Sequence, residues 1–178
     1  MRIAIDLDDT LFDTSLRTME YLKQIDKKYM DNINDIVRDN ISNPIVVEFY
    51  DKYLSDIVHS ASLKENALLI NELYNSYEIY FVTARSERFI KDVDTRTKKL
   101  LDSYNIKYHK IITGAGNKAE ICKLNDIDLL IDDSVRHCTK FIEFGGNALL
   151  FNSIINNNIE TNLKRVYNWK EVYDFINS

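Results

Sequence analysis

The chain has 178 residues, 45% of them hydrophobic and 29% charged, with a net charge of −5. That balance excludes a disordered or low-complexity protein, and the length suits one main domain with a modest insertion that buries about 70% of its unfolded surface. The negative sign excludes a protein that coats nucleic acid, which needs a basic face, but it leaves room for a small phosphorylated substrate at a locally positive site.

Charge returns after three apolar residues at the start, Ile3-Ala4-Ile5 before Asp6, so no signal-peptide core is expected there. No segment approaches the ~20 apolar residues of a membrane span. A cytoplasmic location is expected. Residues 3–5 are the first of five short apolar runs, followed by 78–82, 108–112, 129–131 and 148–151. Their continuous rather than alternating character predicts strands covered on both faces. Helical patterns separate them, which predicts a parallel sheet with ligands beyond the carboxyl ends of the strands.

After the first strand come two helical patterns that fit no simple crossover. Leu16, Met19, Leu22, Ile25 and Tyr29 share one face; after Pro44, Val46, Phe49, Tyr53 and Ile57 share another. They predict a small helical insertion over residues 14–60, with the main domain formed by 1–13 and 61–178. Ser62 with Glu65 reads as a capping box opening a helix over 63–74, burying Leu68, Leu69 and Leu73. Asp92 or Asp94 is expected to cap the next helix, which buries Leu100 and Leu101. Helices are expected over 117–124 and 134–144, the second stopped by Gly145-Gly146, and over 167–176, which carries the only tryptophan, Trp169. Residues 152–158, rich in asparagine, read as a loop.

Four pieces carry chemistry. Asp6 and Asp8, directly after an apolar strand and two residues apart, project to one side of an extended chain. Asp132 and Asp133 end the fourth strand and should reach the same sheet edge. So many carboxylates cannot all stay ionised without a cation, and oxygen-only ligands favour Mg²⁺. Asp9 and Asp13 read more simply as turn or helix caps. Thr83 and the free N–H of Ala84 at the end of the second strand can hold a phosphoryl oxygen, with Arg85 either on substrate phosphate or in a salt bridge. Lys118, after Gly114-Ala115-Gly116-Asn117, sits in the first turn of a helix, where a cation opposes the helix dipole and so points to another task.

Taken together, Asp6-Leu7-Asp8-Asp9-Thr10, Thr83, Lys118 and Asp132-Asp133 resemble the motif set of the haloacid dehalogenase superfamily. Val82-Thr83-Ala84-Arg85 and Leu129-Leu130-Ile131-Asp132-Asp133-Ser134 look like its 5′(3′)-deoxyribonucleotidase branch and related bacterial nucleotidases. The resemblance implies a Rossmann-like α/β fold, a five-stranded parallel sheet flanked by helices, with a small helical cap inserted after strand one. It implies a Mg²⁺-dependent phosphatase of small phosphorylated metabolites, nucleoside monophosphates first, with sugar phosphates, polynucleotide ends or a catalytically silent binding module as alternatives. Asp6 would be the nucleophile and Asp8 the acid and base. Asp6, the Asp8 carbonyl and Asp133 would bind the metal, with Asp132 behind them, while Thr83, Ala84, Lys118 and Arg85 would hold the phosphoryl group. Those roles require Lys118 and the metal to lower the pKa of Asp6, and Asp8 to protonate more readily.

The remaining candidates read first as scaffold. His59, His109 and His137 lack ligand spacing, and His137 reads as a helix-surface histidine. The Arg85–Lys99 cluster of cations is interleaved with acids and reads as a solvated face. Phe12, Tyr21, Phe49 and Tyr50 read as core before base-stacking groups. Cys122 and Cys138 read as small buried thiols.

Overall fold

The computed structural model describes residues 1–178 and shows why the apolar runs are continuous. Strands β1 (Arg2–Ile5), β2 (Glu78–Val82), β3 (Lys110–Ile112), β4 (Leu129–Asp132), β5 (Asn147–Phe151) and β6 (Arg165–Val166) form one parallel sheet ordered β3-β2-β1-β4-β5-β6. Ile3, Ile5, Phe81 and Ile131 bury into one core layer; Ala4, Val82 and Leu130 bury into the other. The first layer is covered by α6 (Ile70–Leu73), α7 (Val93–Ser103) and α10 (Trp169–Ile176), the second by α8 (Lys118–Leu124) and α9 (Val135–Glu143). Because β2 lies on one side of β1 and β4 on the other, the strand order reverses at β1, and a crevice opens beyond its carboxyl end.

The sheet has six strands, not the expected five. The sixth is two residues long, Leu150 pairing with Arg165 and Phe151 with Val166, too short to leave a periodic pattern in the sequence.

The helix expected over 63–74 does not form at full length. Ser62 accepts a hydrogen bond from the Asp13 amide at 2.9 Å, Lys64 donates to the Leu11 carbonyl at 3.0 Å, and Leu63 bridges Phe12. This pairing with the loop after β1 outcompetes the capping box. Asn66 then adopts a left-handed φ of +61°, and only a 3₁₀ turn (Ala67–Leu69) and α6 remain. Leu68 faces solvent, while Ala67, Ile70 and Leu73 enter the core. Neither Asp92 nor Asp94 caps α7. Asp92 is itself left-handed at φ +54°, Asp94 engages Thr113, and Glu87 accepts from the Val93 and Asp92 amides at 2.9 and 3.1 Å. Helix α9 follows expectation, capped by Ser134 and followed by Gly145 at φ +87°.

Residues between the first two strands form α1 (Thr14–Leu22), α2 (Lys27–Met30), α3 (Ile33–Val37), α4 (Pro44–Phe49), a π turn (Tyr50–Leu54) and α5 (Ser55–Ser60). They share a small core of Leu22, Tyr29, Ile36, Val46, Phe49, Tyr50 and Ile57. The chain breaks helix after Leu22, and within α1 Leu16 is 47% exposed while Leu22 is buried, so the two do not share the expected face. Phe49 is central, tilted against Tyr29, Tyr50 and Tyr53 with ring centroids 5.5–5.9 Å apart. From the loop after β2, Phe89 joins this cluster and Ile90 packs with Val58 and Val93. Truncating Phe49 to alanine leaves a cavity that no neighbour fills. Phe49→Ala should cost about 3–5 kcal/mol in urea unfolding; a loss under about 1 kcal/mol would contradict this packing.

Candidate active site

The loop after β1 is held by its own backbone. Asp6 donates its amide to the Ile131 carbonyl at 2.9 Å, and the Leu11 and Phe12 amides both return to the Leu7 carbonyl. Asp9 takes a left-handed φ of +59°. Its carboxylate accepts from the Ser15 amide at 2.8 Å and from the Ser15 hydroxyl, so Asp9 anchors the start of α1, as its reading as a cap implied. Asp13 pairs with Lys64 at 2.5 Å. Trp169 donates its indole N–H to the Thr10 carbonyl at 3.1 Å, tying the last helix to this loop.

Asp6, Lys118, Asp132 and Asp133 meet at the carboxyl edge of β1 and β4. Lys118 Nζ lies 2.5 Å from Asp6 and 2.7 Å from Asp132, and all three side chains are at least nine-tenths buried. Asp132 also accepts from the Ser134 amide at 2.8 Å and faces His137 Nδ1 at 3.3 Å. The Asp6, Asp132 and Asp133 carboxylates offer oxygens within 4.8 Å of one another. Their proton affinities diverge accordingly. Burial pushes Asp6 up to about 7 despite Lys118, with the Asp132 and Asp8 charges adding to the rise. Burial and the charges of Asp132 and Asp6 push Asp133 well above the carboxylate range. Asp132 is buried too, yet Lys118 and His137 hold it down to about 2. Lys118 is raised by both acids against its own burial.

Asp8 turns to a different cation. Arg85 forks onto it, Nε at 2.9 Å and Nη2 at 2.8 Å, and Thr14 donates its hydroxyl at 2.7 Å. Burial opposes ionisation, but the guanidinium wins and holds the carboxyl below its usual range. The expectation that Asp8 protonates more readily supposed a bound metal at Asp6; the Arg85 fork, which the sequence did not assign to Asp8, works against it.

Two cavities adjoin these groups. The larger, about 750 Å³, is lined by Asp6, Asp8, Ala84, Lys118, Asp132 and Asp133, and reaches Arg38, Arg136 and His137 at its rim. The smaller, about 340 Å³, lies beside Asp8 and Arg85 under the helical insertion, walled by Ile36, Tyr50, Leu54, Val58 and Phe89. The expected residues thus converge, except Thr83. It is fully buried, its hydroxyl accepts from the Arg85 amide at 3.2 Å, and it lines neither cavity. His137 lines the site rather than an open helix surface. Of the four aromatics, Phe12, Phe49 and Tyr50 are core and Tyr21 packs partly buried against it, while Tyr50 also lines the small cavity. Sequence reasoning missed Ser153 and Asn156, which contact Asp133 from the loop after β5. Their position at the same sheet edge was the available signal.

Solved haloacid dehalogenases and phosphatases share this fold, as the motifs implied. Two solved structures match it over nearly the whole chain. An L-2-haloacid dehalogenase from Xanthobacter autotrophicus does so with a TM-score of 0.68 and 8% identity, covering 99% of this chain and 98% of that one. A D,D-heptose 1,7-bisphosphate phosphatase from B. bronchiseptica, solved with magnesium and phosphate, does so with a TM-score of 0.55 and 10% identity, again covering 99% and 98%. In sequence, the chain is 27% identical over 188 residues to a nucleotidase of Clostridium acetobutylicum, covering 99% of this chain and 93% of that protein. No family model matches the chain. No helix is long and apolar enough to cross a membrane.

Removing the one ammonium group of the cluster strands two buried carboxylates. Lys118→Met should lower stability by about 3–5 kcal/mol at pH 8 in guanidinium unfolding. Protonating the stranded acids removes the uncompensated charge, so the loss should shrink at pH 5. An equal loss at both pH values would contradict the pairing.

Proposed function

We propose that the protein is a Mg²⁺-dependent phosphomonoesterase acting through an aspartyl-phosphate on Asp6, with nucleoside monophosphates as its first substrate class. The observation that carries this reading is the meeting of Asp6, Asp132 and Asp133 with buried Lys118 beside a second acid, Asp8. Three carboxylates against one ammonium leave two negative charges, the amount one divalent cation cancels, and all-oxygen donors suit Mg²⁺. Both oxygens of Asp132 already have partners in Lys118, Ser134 and His137. That supports Asp6, Asp133 and the Asp8 carbonyl as direct ligands, with Asp132 behind them. Bound there, Mg²⁺ would neutralise phosphoryl oxygens and keep Asp6 ionised.

An Asp6 oxygen attacks phosphorus in line with the departing alkoxide, and the phosphorus–oxygen bond to the leaving group breaks. Lys118 and the Ala84 N–H hold the transferring group, and the Thr83 hydroxyl, which accepts from the Arg85 amide, keeps its own O–H free to donate. Asp8, taking a proton from solvent as the phosphoryl dianion enters, gives it to the leaving oxygen, then takes one from the water that hydrolyses the aspartyl-phosphate. The Arg85 fork sets the orientation of Asp8, and the arriving phosphoryl dianion raises its proton affinity. Arg85 is therefore read as orienting the acid more than gripping phosphate. The small cavity beside Asp8, apolar and lined by Tyr50 and Phe89, suits the base of a nucleotide leaving group. The nucleotidase relative supports the same substrate class.

Phosphate release should be measured on ribo- and deoxynucleoside 5′- and 3′-monophosphates, sugar phosphates and an aryl phosphate, with Mg²⁺ and with chelator. Release confined to Mg²⁺ and strongest on nucleotides is expected; strongest release on sugar phosphates would discard the nucleotide assignment. Asp6→Asn should reduce turnover to background with the fold intact. Asp8→Asn should lower kcat by about 10²–10⁴. Retained turnover in purified Asp6→Asn would remove the nucleophile.

A further inference from the structure

The loop after β5 takes no part in the chemistry above, yet two of its polar side chains are buried. Ser153 is 5% exposed and Asn156 2%. Buried amides and hydroxyls persist only where their hydrogen bonds are made, and here one bond from each residue ends on Asp133. The Asn156 amide donates to the Asp133 carbonyl at 2.6 Å and to the Phe151 carbonyl at 2.8 Å. Its oxygen accepts from the Ser153 amide at 3.2 Å and from Arg165 Nη1 at 2.5 Å. All four hydrogen-bonding positions of the amide are filled. Arg165 also holds the Asn156 and Ile159 carbonyls at 3.2 and 2.9 Å, bracing the loop from β6. The Ser153 hydroxyl, in turn, donates to Asp133 Oδ2 at 3.2 Å.

Asp133 needs this support. It shares the cluster with Asp6 and Asp132, whose charges repel it, and Lys118 forms its ion pairs with those two acids. Ser153 is the one side chain that hydrogen-bonds the Asp133 carboxylate, and it takes Oδ2 alone, leaving Oδ1 without a protein partner. Partners behind a metal-ligating carboxylate typically set affinity by 10–100-fold. We infer that Ser153 and Asn156, braced by Arg165, are positioning residues for Asp133 and set the affinity of the acid cluster for a divalent cation. This rests on reading that cluster as a Mg²⁺ site.

The test is calorimetric titration of Mg²⁺ into the full chain, beside the rise in thermal midpoint with Mg²⁺ concentration. Ser153→Ala removes one hydroxyl and leaves the Asn156 bracing in place, so it is the primary variant; circular dichroism checks its fold. It should bind Mg²⁺ about 10-fold more weakly, with the midpoint curve displaced to higher Mg²⁺ by the same factor. Ser153→Thr, which keeps the hydroxyl, should restore affinity to within about threefold of the parent. A merely structural serine would not give a cation dependence that threonine rescues. Asn156→Ala should weaken Mg²⁺ binding further, and if it does not fold, the serine pair decides alone. Superimposable titrations for the parent and folded Ser153→Ala would overturn the inference while leaving the Mg²⁺ site standing. A parent protein that neither binds Mg²⁺ nor gains thermal stability from it would overturn both.

Discussion

One ammonium group between two carboxylates organises this molecule. Lys118 Nζ is almost wholly removed from water, and burying a lone charge there would cost several kcal/mol. Asp6 and Asp132 make it tolerable, and they come from the ends of two neighbouring strands, β1 and β4. The backbone around Lys118 must therefore be fixed against both. Gly114 donates to the Arg85 carbonyl at 2.6 Å and Ala115 to the Thr83 carbonyl at 2.9 Å, which clips the approach to α8 onto the end of β2. Gly114 sits at φ +65°, a position that favours glycine. Three separate strand ends are thereby locked to one lysine.

Around that centre the acids divide their labour by neighbour rather than by sequence. Asp6 and Asp8 lie two residues apart on one loop, but each takes its own cation: Lys118 for the first, Arg85 for the second. The Lys118 pair is shared with Asp132 and crowded by Asp133, so it has negative charge in excess. The Arg85 pair is one to one and bidentate, which orients the Asp8 carboxylate and keeps it ionised. The same fold appears in an L-2-haloacid dehalogenase and in a phosphatase, so the fold alone does not select the reaction.

The sequence made visible what depends on short-range pattern. Strands buried on both faces read as unbroken apolar runs, and carboxylates ending two of those runs could be placed at one edge before any coordinates existed. What depended on distant pairing stayed hidden. Ser62 and Glu65 form a sound capping box, but the loop after β1 claims the Ser62 carbonyl, and no local rule records that competition. Arg85 read equally well as a phosphate ligand or a salt bridge, because its partner lies 77 positions away. Ser153 and Asn156 looked like an asparagine-rich loop, since their meaning comes from Asp133, which chain order does not bring near. The two residues of β6 were too few to carry a signal.

The helical insertion and the carboxyl edge of the sheet share more than a cleft. Phe89 and Ile90 extend from the segment that begins with Thr83, Ala84 and Arg85, and they are embedded in the hydrophobic clusters of the helical insertion. Arg85 itself lies within 3.4 Å of the Val58 carbonyl in α5. If the insertion swung away as a free lid, it would strip Phe89 and Ile90 of apolar cover or pull their segment along. In the second case the guanidinium would leave Asp8, and that ion pair would be broken by the same movement that admits solvent. Access to the small cavity and the Asp8–Arg85 pair would then be geared together through Phe89, which lines that cavity, and Ile90, which does not.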